Sequence, residues 1–392
     1  MCVSMKKVLF IYREMMVGGS TTSFLSILNE IDFSKYRVDV LLLQNGVDEL
    51  VREIPNQVNI LPCAYQSALP LKLRKRLSWK CWKAHLIPHT PRQREQLIAQ
   101  AMADFCPPLD TEYDIAVGFL ECWPLYFLVD KVKAKRKVNW IHVDFEKAGF
   151  DCVTDKAFID QLDGVALVSN SCVDNFCKSF PEMKNKIRMI PNILSSKTIR
   201  RKAENEACDA NIIENCDLKF ITVCRLDFKH KGLDRAVAAF AAIEKENHKL
   251  DYRWYIIGDG DDRAALEKMI EENHLQNRIV LLGSKMNPFP YEKMCDVFLL
   301  PSHYEGKPMA VTEAQILGLV PCVTEYSAAR EQVKHLVDGI VMENKDEAIQ
   351  DTLRKILNGE IDIEKLKDNV TVTEYSNVND MKRVIDMLEG NW

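Results

Sequence analysis

No run of apolar residues in this 392-residue chain approaches the roughly 20 needed to cross a bilayer, so a membrane-spanning class is not expected. The first residues, Met1-Cys2-Val3-Ser4-Met5-Lys6-Lys7, lead straight into Val8–Tyr12 with no small-residue cleavage site behind them. This predicts a first core strand and not a signal peptide. The 13 cysteines contain no C-x-x-C, and none has zinc-ligand spacing with a histidine. They are expected as free thiols packed as small hydrophobes in a reducing cytoplasm. Repeats and low-complexity tracts are also absent, and between Glu53 and Glu95 there is no acidic residue at all.

What is there is a globular composition, 47% hydrophobic and 28% charged, in a chain long enough for two domains. The net charge of −5 is unevenly spread. Lys72, Arg74, Lys75, Arg76, Lys80, Lys83, Arg92 and Arg94 fall in one short segment, so the rest of the chain is distinctly acidic. A basic island on an acidic protein predicts a local anionic partner. At helical spacing Leu73, Leu77, Cys81 and Ala84 form one stripe, and Trp79, Trp82 and Leu86 a second. Residues 69–94 are therefore read as a helix able to offer tryptophans and lysines to an anionic membrane surface. An ordinary surface helix with solvated lysines has the same pattern. No nucleic-acid-binding module is recognisable, so nucleic acid is not expected as a partner.

Short, nearly continuous apolar runs alternate with helical patterns along most of the chain, as buried parallel strands do. One series runs from Val8–Tyr12 to Ile187–Ile190 and a second from Phe220–Cys224 to Ile340–Met342. This is an α/β architecture of two doubly wound domains, whose strand carboxyl ends would line one cleft. Between Leu194 and Leu218 the pattern lapses into a polar stretch without clear period. The expected domains are 1–193 and 194–375, with a C-terminal helix, 376–392, returning to the first.

Four places carry chemistry. Gly18-Gly19 precedes a helix, where backbone N–H groups and the helix dipole favour an anion; a plain strand-to-helix turn has the same look. Arg225 ends a strand and Lys231 precedes the next helix, which suits a diphosphate or, equally, a solvated loop. Gly258-Asp259-Gly260 follows a strand, but Arg263 stands where a dinucleotide loop needs its third glycine. In Ser302–Ala314, Glu305 lies on a loop, Pro308 opens a helix, and Glu313 lies about a turn and a half inside it. The free N–H groups near Met309 and Ala310 would hold a phosphate between two carboxylates able to grip sugar hydroxyls. A helix cap and an exposed helix glutamate would use the same residues.

Glu305 and Glu313, with seven residues between them behind an E-G-x-P start, resemble the E-x7-E motif of retaining GT-B glycosyltransferases, and of glycosyltransferase family 4 of bacterial cell-surface and capsular polysaccharide synthesis in particular. Trp140-Ile141-His142-Val143-Asp144, Ile190-Pro191-Asn192, Lys231-Gly232 and Gly318-Leu319-Val320-Pro321 follow in that family's order. The resemblance implies an N-terminal acceptor domain and a C-terminal donor domain. It implies transfer of a hexose-type sugar from a nucleotide-sugar, a UDP-sugar, to a glycan or lipid-linked acceptor, with no cofactor and no metal. Arg225 and Lys231 would bind the donor diphosphate, and Glu313 the ribose. Glu305 and His142 would serve at the transferred sugar, with Gly18, Gly19, Gly258, Met309 and Ala310 about the donor. His142 also reads as a core histidine. Other classes using the same fold are a sugar-nucleotide epimerase or hydrolase, and a non-catalytic partner subunit. The expected place is cytoplasmic, peripheral on the inner face of the cell membrane.

Overall fold

The computed structural model describes residues 5–62, 90–204, 213 and 216–391. The amphipathic basic segment, apart from residues 90–94, lies outside them. The chain divides into two compact units, residues 1–193 with 377–392, and residues 194–376.

The first unit holds β1 (Lys6–Tyr12), β2 (Tyr36–Leu42), β3 (Asn59–Leu61), β4 (Glu112–Tyr113), β5 (Ile115–Phe119), β6 (Lys133–Ala134), β7 (Lys137–Ile141), β8 (Gly164–Leu167) and β9 (Ile187–Met189). Its main sheet has the order β3-β2-β1-β5-β7-β8-β9, every pair parallel. The second unit holds β10 (Leu218–Val223), β11 (Tyr252–Ile257), β12 (Ile279–Gly283), β13 (Val297–Leu300), β14 (Val320–Thr324) and β15 (Ile340–Met342), in the order β12-β11-β10-β13-β14-β15.

Alternation of side chains across a strand gives each sheet two cores. Leu9 and Ile11 face one side with Tyr126, Phe127 and Leu128 of the helix Trp123–Lys131. Val8, Phe10 and Tyr12 face the other with Phe24 and Ile27 of the helix Gly19–Glu30. In the second unit Phe220 and Trp254 pack under the helices Leu233–Ile243 and Asp346–Leu357. Ile221, Tyr255 and Phe298 pack against Val311 and Ala314 of the helix Met309–Ile316. Each such buried side chain contributes about 1.5–3 kcal/mol relative to exposure. Strands buried on both faces explain why the sequence shows continuous rather than alternating apolar runs.

The helix Met381–Glu389 belongs to the first unit. Met381, Val384, Met387 and Leu388 recur at helical spacing and enter the core of Val8 and Phe10. Glu389 pairs with Lys6 and accepts a hydrogen bond from the Tyr36 hydroxyl.

Several stretches differ from the sequence reading. The stretch after Leu194 contains the helix Ser196–Ala203, capped by Ser195, which accepts from the Thr198 N–H at 3.3 Å. Its inner face is Thr198, Ile199, Lys202 and Ala203, and the Lys202 ammonium lies 5.6 Å from the Phe289 ring centre. Polar residues that bury their stems hide a helical period from hydropathy. The sequence pattern over 328–337 also reads as a helix, but the helix there is a single turn, Ala329–Gln332. Val333 turns extended, with φ −131° and ψ 121°, and ends the helix; beyond it Asp338 folds back to accept from the Lys334 N–H at 2.7 Å, and Leu336 takes a φ of 57°.

Val384 is fully buried whereas Val372 is 84% exposed. Val384→Asp is expected to cost about 3–5 kcal/mol, as an unpaired buried charge does. Val372→Asp should stay within about 0.5 kcal/mol. Urea unfolding followed by tryptophan fluorescence checks both; equal midpoints for the two variants would show that the C-terminal helix does not hold the first unit.

Candidate functional site

In the second unit the chain adds β11 and β12 on one side of β10, then returns to add β13, β14 and β15 on the other. The carboxyl ends of β10 and β13 therefore flank the switch point, where open α/β sheets bind ligands. The loop after β10 carries Arg225 and Lys231, and the loop after β13 carries Glu305.

The two loops are laced together. The His303 N–H donates to the His230 carbonyl at 2.9 Å. Gly232 has a φ of 60°, and a Cβ there would meet the Pro301 carbonyl oxygen at 2.4 Å, so only glycine allows the approach. Across them Lys231 Nζ reaches Glu305 Oε1 at 2.6 Å, with the two side chains 22% and 14% exposed. Ser302, fully buried, donates its hydroxyl to the same Glu305 oxygen at 2.9 Å. The Glu305 carbonyl accepts from Ser327 Oγ at 3.0 Å. Glu305 is thus fixed through both its side chain and its backbone.

Arg225 is held differently. Its side chain is 68% exposed and bonds Asp227 Oδ2 at 2.8 Å. Asp227 also caps the short helix Phe228–Lys231, accepting from the His230 N–H and from the His230 ring. Burial works to raise the Asp227 carboxyl, but the His230 hydrogen bonds and the Arg225 guanidinium hold it below the usual carboxylate range. Asp227 was missed in the sequence, where D-x-x-H ahead of a helical turn was the available capping signal.

Gly258 stands behind these loops. Its φ is 146°, and a Cβ would lie 1.8 Å from the Cys224 carbonyl oxygen. Backbone bonds from Cys224 to Ile257 and from Leu226 to Asp259, 3.1 and 3.0 Å, close this seam. Its glycine is required by backbone contact.

The helix Met309–Ile316 follows the β13 loop. Pro308 occupies its cap position, ahead of the first turn, and among the described residues no side chain caps this helix start, where the Met309 and Ala310 N–H groups lie. Gln332 fixes this end by donating to the Pro308 carbonyl at 2.9 Å and to Thr312 Oγ1 at 2.7 Å. Glu313 is 8% exposed on the same helix. Behind it sits Glu292, unmarked by any sequence motif; burial and then the Glu313 charge push its carboxyl well above the usual range. A Cβ on Gly306 would meet nothing within 4 Å.

Gly18, Gly19 and His142 belong to the first unit. Its sheet order reverses between β1 and β5. Gly18 precedes the helix Gly19–Glu30, and a Cβ on it would meet nothing within 4 Å. Tyr12 braces that helix start, its hydroxyl 3.0 Å from both Ser20 Oγ and Thr21 Oγ1. His142 follows β7. Its Nδ1 lies 2.8 Å from Asn192 Oδ1, and its ring centre 4.3 Å from that of Phe119. Burial pushes its pKa down to about 3 against the opposing Asn192 hydrogen bond. The neutral ring with Nδ1–H donated to Asn192 leaves a lone pair on the enclosed Nε2.

The structure brings Arg225, Lys231 and Glu305 together around one switch point. Residues 209–373 match the family of glycosyl transferases group 1. The second unit is a group 1 glycosyl transferase domain. The amylovoran biosynthesis glycosyltransferase AmsK of Erwinia amylovora is 32% identical over 159 residues, 37% of this chain and 37% of that protein. The UDP-Gal:alpha-D-GlcNAc-diphosphoundecaprenol alpha-1,3-galactosyltransferase of Escherichia coli is 35% identical over 128 residues, 32% of this chain and 33% of that one. The matched stretch thus spans little more than a third of these relatives. HepE of Anabaena, solved with UDP and glucose, has a TM-score of 0.67 at 15% identity, covering 98% of this chain and 100% of that one. The fold is GT-B, two Rossmann-like units of which the glycosyl transferase domain is the second. No described helix is long and apolar enough to cross a membrane.

His142 gives a pH test. Its folded pKa of about 3 lies below the ordinary 6.5. Between these values the unfolded ring binds a proton that the folded ring does not. Stability from this residue is therefore full above pH 6.5 and falls as pH falls, by up to about 1.4 kcal/mol per unit. The His142 imidazole resonances should stay flat from pH 8 to pH 5 in NMR titration, and His142→Gln should flatten the acid limb of stability. A midpoint near 6.5 for His142 would refute this.

Proposed function

We propose that the chain transfers a hexose-type sugar from a UDP-sugar to a glycan or lipid-linked acceptor in cell-surface polysaccharide synthesis, with retention at the anomeric carbon. The observation that carries the reading is the Lys231–Glu305 pair at the β10/β13 switch point, ahead of an uncapped helix start that also bears Glu313. A diphosphate would meet Arg225, Lys231 and the Met309 and Ala310 N–H groups. Glu313 would take the ribose hydroxyls, and Glu305 those of the transferred sugar. The relatives support this chemistry by name: UDP-Gal and a diphosphoundecaprenol acceptor for the Escherichia coli enzyme, UDP and glucose with HepE.

In the transfer the bond from the anomeric carbon to the diphosphate breaks and the acceptor oxygen bonds to the same face. The acceptor proton passes to the departing phosphate oxygen. Arg225, Lys231 and the helix start neutralise that leaving group, so no metal is required. Gly18 and Gly19 would close over the phosphates, and His142 Nε2 would accept from a hydroxyl of the transferred sugar. The proposal includes a cytoplasmic location, with residues 69–94 resting on anionic lipid.

Titration calorimetry with UDP tests the donor site. Glu313→Ala and Arg225→Ala should each weaken binding about tenfold or more, as loss of a charged hydrogen bond does. Glu305→Gln should lower turnover more than affinity. Unchanged UDP affinity in both of the first two variants would refute the site. Transfer should persist in excess EDTA; loss that magnesium or manganese restores would refute metal independence. Cosedimentation with acidic vesicles that falls with added salt is the expected membrane result, and a chain left in the supernatant at low salt would remove that part.

A further inference from the structure

In the first unit the loop after β5 lies at that sheet's own switch point, beside the loop after β1. Leu120 and Cys122 take positive φ values of 101° and 63°. Non-glycine residues adopt this region at a cost of about 1–3 kcal/mol each. Such strain persists where neighbours fix it, and often where a site needs it. Here the Leu120 N–H donates to the Trp140 carbonyl at 2.9 Å, and Asn139 Nδ2 donates to the Leu120 carbonyl at 3.3 Å. Between the two strained residues stands Glu121.

Glu121 is partly exposed, and its Oε2 accepts from the His142 N–H at 3.3 Å. Among the described residues no Lys, Arg or His side chain forms an ion pair with it. Burial pushes its carboxyl above the usual range, against the opposing hydrogen bonds. Its neighbour Glu95 is the contrast, since Arg13, Arg92 and the Trp123 indole all donate to it. The adjacent His142 Nε2 is enclosed and has no partner among the described residues. Glu121 therefore stands at the carboxyl end of β5, against the His142 backbone, as a partly exposed acceptor with too few donors. A phosphate would be repelled by Glu121. A metal ion would want further ligands, and no group of three metal-ligating side chains is found among the described residues. A neutral ligand rich in hydroxyl donors fits.

We propose that Glu121 is a specificity-determining residue of the first unit, taking a hydroxyl of the sugar acceptor on its carboxylate beside His142. This rests on the transferase reading only for naming the bound sugar as the acceptor. The two are tested separately, because UDP affinity reads the second unit and glycoside binding reads the first.

The test is ligand-observed NMR with methyl glucoside, methyl galactoside and methyl N-acetylglucosaminide on the full chain, wild type and Glu121→Gln. Glutamine still accepts from the His142 N–H, so a purely structural role predicts unchanged binding and an unchanged melting temperature. The expected result is saturation transfer to at least one glycoside with the wild type, weakened about tenfold in the variant, with UDP affinity and melting temperature kept. Binding of no glycoside by the wild type, or equal binding by the variant, overturns the inference. A wild type that binds glycosides but not UDP overturns the transferase reading alone.

Discussion

Between β10 and β13 the second sheet stops growing in one direction and begins again in the other, so two loops leave neighbouring strand ends with no strand crossing above them. Everything at the candidate site depends on how that opening is bridged. Backbone lacing comes first. Gly232 lets the helix at Leu233 start against the Pro301 carbonyl, and Gly258 and Gly260 let the β11 loop close on the β10 loop. A side chain at either of the latter two would push Cys224 or Leu226 off its place, and Arg225 lies between them. The glycines here set the position of a cation by admitting close backbone contact, a different use from exposing N–H groups to a ligand. At Gly18 and Gly306, where a Cβ would meet nothing, internal packing demands no glycine, and the open backbone remains available.

Legibility in the sequence follows the physics of each element. Strands buried on both faces are continuous apolar runs, so twelve of the fifteen strands among the described residues could be read, while β3, β4 and β6, which lack such a run, left no pattern. The helix Trp123–Lys131 is apolar all round and shows no amphipathic period. The helix Ser196–Ala203 buries lysine and threonine stems and shows no apolar one. Among site residues, Glu305, Glu313, Arg225 and Lys231 stood in a spaced motif. Asp227, Glu292 and Glu121 did not, because their significance comes from what the fold packs beside them. Glu121 in particular is marked by backbone strain at its neighbours, and a φ angle has no signature in the residue names Leu120 and Cys122.

The two cations of the second unit illustrate why position in the fold outweighs residue type. Each carries a carboxylate partner of its own. The Arg225–Asp227 pair is exposed on its cationic side, and such pairs hold by about 0–1 kcal/mol. The guanidinium is therefore free to leave Asp227 for another anion. The Lys231–Glu305 pair is mostly enclosed, shares an oxygen with the Ser302 hydroxyl, and is tied to two loops. Separating it would strand a charge, so it stays in place and orients Glu305.

This inequality bears on catalysis in a sugar transfer of the kind proposed. A site of bare cations would bind a nucleoside diphosphate tightly before and after reaction, and uniform affinity of that kind does not lower the barrier. Carboxylates beside both cations temper the ground-state attraction. As the glycosidic bond to phosphate breaks, the leaving oxygen gains charge, and a cation already fixed in place responds without reorganising. In the proposed transfer Lys231, clamped by Glu305, would be the better placed of the two for that developing charge, while the exposed Arg225 would suit capture and release of the nucleotide. That division of labour would follow from burial: of two like charges, the one held by its partner and the one exposed to solvent would act on different parts of the proposed cycle.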